Sequence, residues 1–319
     1  AWALIENGET PEIIAHKNLK NRFNRYIRLR GSIAKYMSQP EEQLPTSEED
    51  FTWPTQEFEN RLELLIGGEL FVLQHHKGET DDQLYVWAPN RRILASADYY
   101  QGFLPNAGNG KRIQRDVEKW AKALREMAEL NATILLPSHG QPITNAKEIN
   151  TNLNTLAEVL EFIVEHTISG LNAGLRKDEI AASVSLPEHL ADHPTLEVQY
   201  VNPEDISKMV LKQYTGWWDD IPSHWTPAPI SMQGEMIISL ANHNIPKIIT
   251  QGRELIQKDL RLASHLADWL FYARPGNKSV QDYVHDVYKA RILAPSSNTM
   301  EMLTYLDQMA RARDAPSED

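Results

Sequence analysis

Apolar positions recur along the first 143 residues in two different rhythms. Short alternating or continuous apolar runs predict strands in "PEIIAH", "RLELLI", "ELFVLQ", "QLYVWA", "RILASA" and "ATILLP". Gly67-Gly68 between the second and third runs, and "PNRR" where the fourth meets the fifth, read as hairpin turns. In "GKRIQRDVEKWAKALREMAEL" the rhythm changes: Ile113, Val117, Trp120, Leu124 and Met127 fall at helical spacing. A basic helix is predicted over "NLKNRFNRYIRLRGSIAKYM". The Pro-rich, acidic "SQPEEQLPTSEEDFTWPTQEF" after it reads as a surface loop.

From about Asn145 the helical rhythm takes over, from "NTNLNTLAEVLEFIVEHTISGL" to "TMEMLTYLDQMARAR", with short connections. The predicted organisation is α/β followed by all-α, with domains at 1–143 and 144–319. The start, "AWALIENGET", has no initiator Met and no signal-like layout, and reads like the middle of a longer protein.

Composition narrows the function classes. No apolar run approaches the length of a membrane span, and a net charge of -12 argues against a broad nucleic-acid-binding surface. With no cysteine, disulfides and thiolate metal sites are excluded, so any transition-metal site must draw on His, Asp and Glu. Compartment is left open.

Three such residues sit at predicted strand ends, where layered α/β folds gather reactive groups. Glu79 precedes "QLYVWA", Asp98 follows "RILASA", and His139 follows "ATILLPS". Carboxylates and an imidazole together suit zinc or manganese, and a carboxylate can bridge two ions that activate water. The plainer reading is a pair of solvated turn carboxylates and a loop histidine. Convergence of all three on one point is the expectation to test.

The stretch "GETDDQLYVWAPNRRILASAD", followed by "LLPSHGQPI", resembles the second half of a metallo-β-lactamase-fold hydrolase. Glu79 occupies a slot that is His in most members, a feature similar to the alkylsulfatase branch. "LNAGLRKDEIAASVSLPEHLADHPTL", "VLKQYTGWWDDIPSHWTPAP" and "KDLRLASHLADWLFYARPGNKSVQDYVHDVYKA" resemble that branch's helical dimerisation domain. The resemblance implies a partial αββα sandwich, then a helical dimerisation domain. It also implies hydrolysis of an alkyl sulfate ester by metal-activated water, with Glu79, Asp98 and His139 as ligands to a pair of zinc ions, or manganese. The His-X-His-X-Asp-His loop, which supplies four further ligands in the family, is expected upstream of Ala1, so this chain alone is expected to be inactive.

The same resemblance places an Asn and a cation in the loop "GFLPNAGNGKR" to hold sulfate oxygens, which points to Asn106 with Lys111 and Arg112. A solvated loop running into a basic first helical turn explains those residues equally well. Three departures bear on the substrate: Asp98 stands where the branch carries Glu, "DDIP" where it has Asp-Gly-Asn-Pro, and Gln213 where an Arg precedes Tyr214. Another hydrolase of the superfamily, acting on a lactone, phosphoester or amide, and a non-catalytic dimeric scaffold are the rival readings. A homodimer is expected in any of them, with some of Trp217, Trp218, Trp225, Trp269, Phe271 and Tyr272 shared with the partner.

Overall fold

The computed structural model describes residues 2–37, 39–113 and 115–316, which divide into two units: residues 1–198 with 202–217, and residues 199–201 with 218–319. The first begins with α1 (Trp2–Glu6), β1 (Ile14–His16), α2 (Leu19–Arg28) and α3 (Arg30–Met37). The basic stretch expected as one helix is two, because Leu29 leaves helical geometry (φ -112°, ψ 21°). The acidic loop contains two short 3-10 turns, Glu41–Gln43 and Glu48–Asp50. After it, β2 (Gln56–Phe58) pairs in parallel with β1.

Five strands form the main sheet in chain order: β3 (Arg61–Ile66), β4 (Glu69–His75), β5 (Leu84–Ala88), β6 (Ile93–Ala97) and β7 (Ile134–Pro137). Gly67 and Gly68, at φ 58° and 84°, give the β3–β4 turn the left-handed pair of residues that a two-residue hairpin requires. Pairing is antiparallel up to β6, then parallel between β6 and β7. A parallel neighbour demands a crossover, and α4 (Val117–Glu129) supplies it.

Strand register aligns Val72, Trp87, Leu94 and Leu135 across four strands on one face. Leu94 and Leu135 on this face are completely buried, as are Val117, Trp120, Leu124 and Met127 of α4. Ile113, expected on that helical face, lies before the helix and is exposed. The Asp116 side chain caps the true start by accepting from Lys119 N at 3.1 Å.

The first unit continues through α5 (Ala146–Asn172), α6 (Lys177–Ala182), α7 (Glu188–Ala191) and α8 (Pro203–Tyr214). These units of packing divide at 217/218, inside the helical region that periodicity assigns to 144–319. The inner side of α5, with Leu153, Leu156, Leu160 and Ile163 fully buried, packs on α4 and α8 within the first unit.

The second unit is made of α9 (Ile230–Leu240), α10 (Ile245–Lys258), α11 (Leu260–Ala273), α12 (Lys278–Leu293) and α13 (Thr299–Asp314). Asn244, Asp259, Asn277 and Asn298 cap the last four of these through their side chains. Ile238, Ala263, Ala267, Leu270, Val280, Tyr283, Val284 and Val287 fill the core. No helix among the described residues is long and apolar enough to cross a membrane.

Candidate metal centre

Glu79 lies in the connection between β4 and β5, which is clipped in place from several sides. A Cβ on Gly78 would stand 2.7 Å from the Tyr99 ring, so glycine lets this segment lie flat on the fully buried tyrosine. The Tyr99 hydroxyl accepts from His76 N at 3.1 Å and faces the carbonyls of His76 and Gln83. The Gln83 amide oxygen accepts from the backbone N–H of Glu79 at 2.8 Å and of Thr80 at 3.3 Å. A rigid frame thus points the Glu79 carboxyl inward.

That carboxyl meets a buried cation. Arg115 Nη1 stands 2.6 Å from Glu79 Oε1 and also donates to the Glu79 carbonyl oxygen at 3.1 Å; its side chain is only 3% exposed. Gln101 Nε2 donates to Oε2 at 2.9 Å. Burial pushes the Glu79 pKa above its usual value; Arg115 opposes the rise, and the nearby Asp98 carboxyl adds to it. Burial likewise lowers the pKa of Arg115, against the pull of Glu79.

Asp98 follows Ala97, a non-glycine residue at φ 48°, where the β6–β7 register slips between Ala95 and Ala97. Such bulges re-aim the side chains that follow. Asp98 Oδ1 accepts from the Ser138 hydroxyl and lies 3.3 Å from His139 Nε2. The Phe103 ring packs edge-on to His139 with centroids 6.0 Å apart. Both Asp98 and His139 are partly open to solvent.

The sequence-derived trio is therefore a chain of neighbours. Asp98 contacts His139 directly and is close enough to Glu79 to raise its pKa. No group of three or more His, Asp or Glu among the described residues forms a ready-made cage for a metal ion. The donor set still suits a cation: two carboxylates pressed together carry more negative charge than Arg115 cancels, and an imidazole nitrogen faces one of them.

The loop from Asp98 to Asp116 is largely buried, and Asn106 with it. The Asn106 backbone N–H donates to Gln101 Oε1 at 3.1 Å, and its own Oδ1 is buried without a hydrogen-bond partner, as are Arg115 Nε and Gln83 Nε2. Arg112 is half-buried and near enough to lower the pKa of Arg115. Lys111 is half-buried, with its backbone N–H on Asn109 Oδ1 at 3.1 Å. Sequence reading missed Arg115, Gln101 and Gln83. Its one signal for Arg115 was Asp116 three residues before Lys119, a helix N-cap that puts Arg115 outside the helix. His75 and His76 turn elsewhere: His75 stacks on His16 at 3.6 Å between ring centroids, and His76 Nε2 lies 2.6 Å from Glu126.

Residues 20–139 match the profile of the metallo-beta-lactamase superfamily, and residues 176–314 that of alkyl sulfatase dimerisation. A Pseudomonas linear primary-alkylsulfatase is 26% identical over 235 residues, covering 73% of this chain and 44% of that protein. An alkyl/aryl-sulfatase of Saccharomyces cerevisiae is 23% identical over 229 residues, 70% of this chain and 35% of its own length. The solved structure of a stereoselective inverting sec-alkylsulfatase from Pseudomonas superposes on all of the chain and 54% of its own, with a TM-score of 0.81 at 19% identity, which shows a shared fold.

Residues 20–139 carry a metallo-β-lactamase superfamily segment, and the chain shares the fold of a solved alkylsulfatase. Over residues 176–314 it also matches the alkyl sulfatase dimerisation segment, and the curated relatives it resembles are alkylsulfatases. It spans about half the length of the relatives it matches, or less.

Proposed function

We propose that this chain is part of a metal-dependent hydrolase that cleaves alkyl sulfate esters to alcohol and sulfate. The observation that carries the proposal is the run Glu79–Asp98–His139, held at the rim of the sheet in a chain whose relatives are alkylsulfatases. Glu79, Asp98 and His139 would hold zinc, or manganese in its place. Bound there, the metal supplies a water activated at neutral pH and a positive field for developing negative charge. The protein's own part is to fix the carboxylates and the imidazole, and to offer buried donors near the bound ester. Asn106 sits in the buried loop, where its Nδ2 would be the donor to a sulfate oxygen, and Arg112 lies at the half-buried end of that loop. Together they support the sulfate-binding role expected of this loop; Lys111 has the weaker support, since only its backbone is tied down.

The test is zinc-dependent release of sulfate from a linear alkyl sulfate, with a lactone and a phosphoester as parallel substrates. The 319-residue chain alone is expected to bind zinc weakly and to turn over none of them. Joined to a His-X-His-X-Asp-His loop, it is expected to release sulfate and to stop when zinc is chelated. Zinc-loaded protein that cleaves the lactone or phosphoester in preference moves the assignment to another superfamily hydrolase, and one that cleaves nothing supports the scaffold.

We also propose that the protein is a homodimer joined through its second unit. On α9, Met232, Met236 and Leu240 are 61%, 56% and 75% exposed and recur every four residues, so one helical face is apolar and open. Of the aromatics expected at a seam, Trp225 and Tyr272 are exposed while Phe271 fills the intrachain core. Sedimentation at micromolar concentration should give a dimer, and Gln at all three α9 positions should shift it to monomer. A monomer at every concentration counts against the dimer.

A further inference from the structure

We infer that Arg115, with Gln101, is a positioning residue that holds the Glu79 carboxylate in a fixed orientation for a metal ion. The inference rests on the metal-centre reading above and concerns what prepares one of its ligands. Arg115 grips the same residue twice, at side-chain Oε1 (2.6 Å) and at the backbone carbonyl (3.1 Å), so Glu79 can neither swing nor shift along the chain without breaking both contacts. Gln101 takes the other carboxylate oxygen at 2.9 Å. Its own amide oxygen receives Asn106 N at 3.1 Å, which fixes which way the amide points.

Both positioning residues are themselves anchored. Gln101 is 4% exposed, and Arg115 directly precedes Asp116, the cap of α4, whose backbone N–H bonds to the Gly78 carbonyl at 3.3 Å. The start of α4 is thus tied to the residue just before Glu79. Arg115 and Gln101 place one hydrogen bond on each carboxylate oxygen, and the Asp98 carboxyl lies against the same group. Arg115 holds Glu79 from one side, while the Asp98 carboxyl approaches it from another. A buried ion pair does little for stability on its own. Hydrogen-bonded partners of ligating carboxylates, by contrast, typically govern metal affinity by about 10–100-fold.

The experiment is a zinc competition titration against a chelating dye, on the parent chain and on Arg115→Met, Arg115→Lys and Gln101→Leu. Thermal unfolding without metal serves as the check of folding. Arg115→Met and Gln101→Leu are each expected to weaken zinc binding by about 10–100-fold. Arg115→Lys should recover part of the loss, because both contacts come from the single Nη1 and an ammonium restores that charge, though on a differently shaped side chain. Where Arg115→Met fails to fold, Gln101→Leu decides. Folded variants that bind zinc as the parent does overturn the inference, leaving Arg115 a purely structural residue. Tighter binding overturns it too, since Arg115 would then be competing with the metal. Because the chain alone is expected to bind zinc weakly, the titration is run on the chain joined to a His-X-His-X-Asp-His loop; no zinc uptake there defeats the metal-centre reading itself, and this inference falls with it.

Discussion

Replacing Asp98 by asparagine is expected to weaken zinc binding by more than about 100-fold, beyond the range set by hydrogen-bonded partners of ligands. Among the three candidate ligands, Asp98 alone neighbours both of the others: His139 Nε2 at 3.3 Å on one side, and the Glu79 carboxyl on the other. Asparagine keeps the shape and can still accept from the Ser138 hydroxyl. What it loses is the negative charge, and an amide oxygen is a far poorer ligand for a transition metal than a carboxylate. Because Asp98 is 38% exposed and packs in no core, the substitution should leave the unfolding midpoint close to that of the parent. The chelator titration used for Arg115 reads the affinity, and a thermal scan reads the fold. Unchanged zinc affinity in a folded variant would remove Asp98 from the centre.

The hairpins and the residues at their ends were legible because both are local. Gly67-Gly68 announces its turn, period-two alternation marks β5 and β6, and strand ends are natural positions for Glu79 and Asp98. The partner that grips Glu79 was not legible. Arg115 lies 36 residues away along the chain, and extending the α4 rhythm back to Ile113 hid it inside a supposed helix. Gln83 and Gln101 look like ordinary surface amides in sequence, and only the fold makes one a clip for a backbone and the other a clip for a carboxylate. Which core α5 joins was hidden for a related reason. Apolar periodicity shows that α5 has a buried face but not which core that face joins, and the pattern of α5 resembles that of the helices of the second unit. Likewise, the six aromatics counted toward a dimer seam could not be sorted from sequence into core and surface. Phe271 went inside, while Trp225 stayed out.

Gly234→Ala is expected to cost about 3 kcal/mol, the upper end for overpacking a core and a large share of a domain's typical stability. The methyl group would have to occupy space already filled by main chain. A Cβ at Gly234 stands 2.0 Å from the Trp269 carbonyl oxygen, and 2.8 Å from both the Trp269 carbonyl carbon and Ala273 Cβ. A flexible side chain could yield to it, but a helical carbonyl cannot move without its helix, so α9 and α11 must separate. Separation carries a second cost, because α11 contributes Ala263, Ala267, Leu270 and Phe271 to the core and would draw them away from α12. The higher helix propensity of alanine recovers only about 1 kcal/mol, too little to reverse the sign. Gly110→Ala is the control: a Cβ there would meet nothing within 4 Å, and the effect should stay within about 0.5 kcal/mol. Urea titration followed by tryptophan fluorescence compares the two. If Gly234→Ala unfolds no more easily than Gly110→Ala, α9 and α11 do not cross at this glycine in solution.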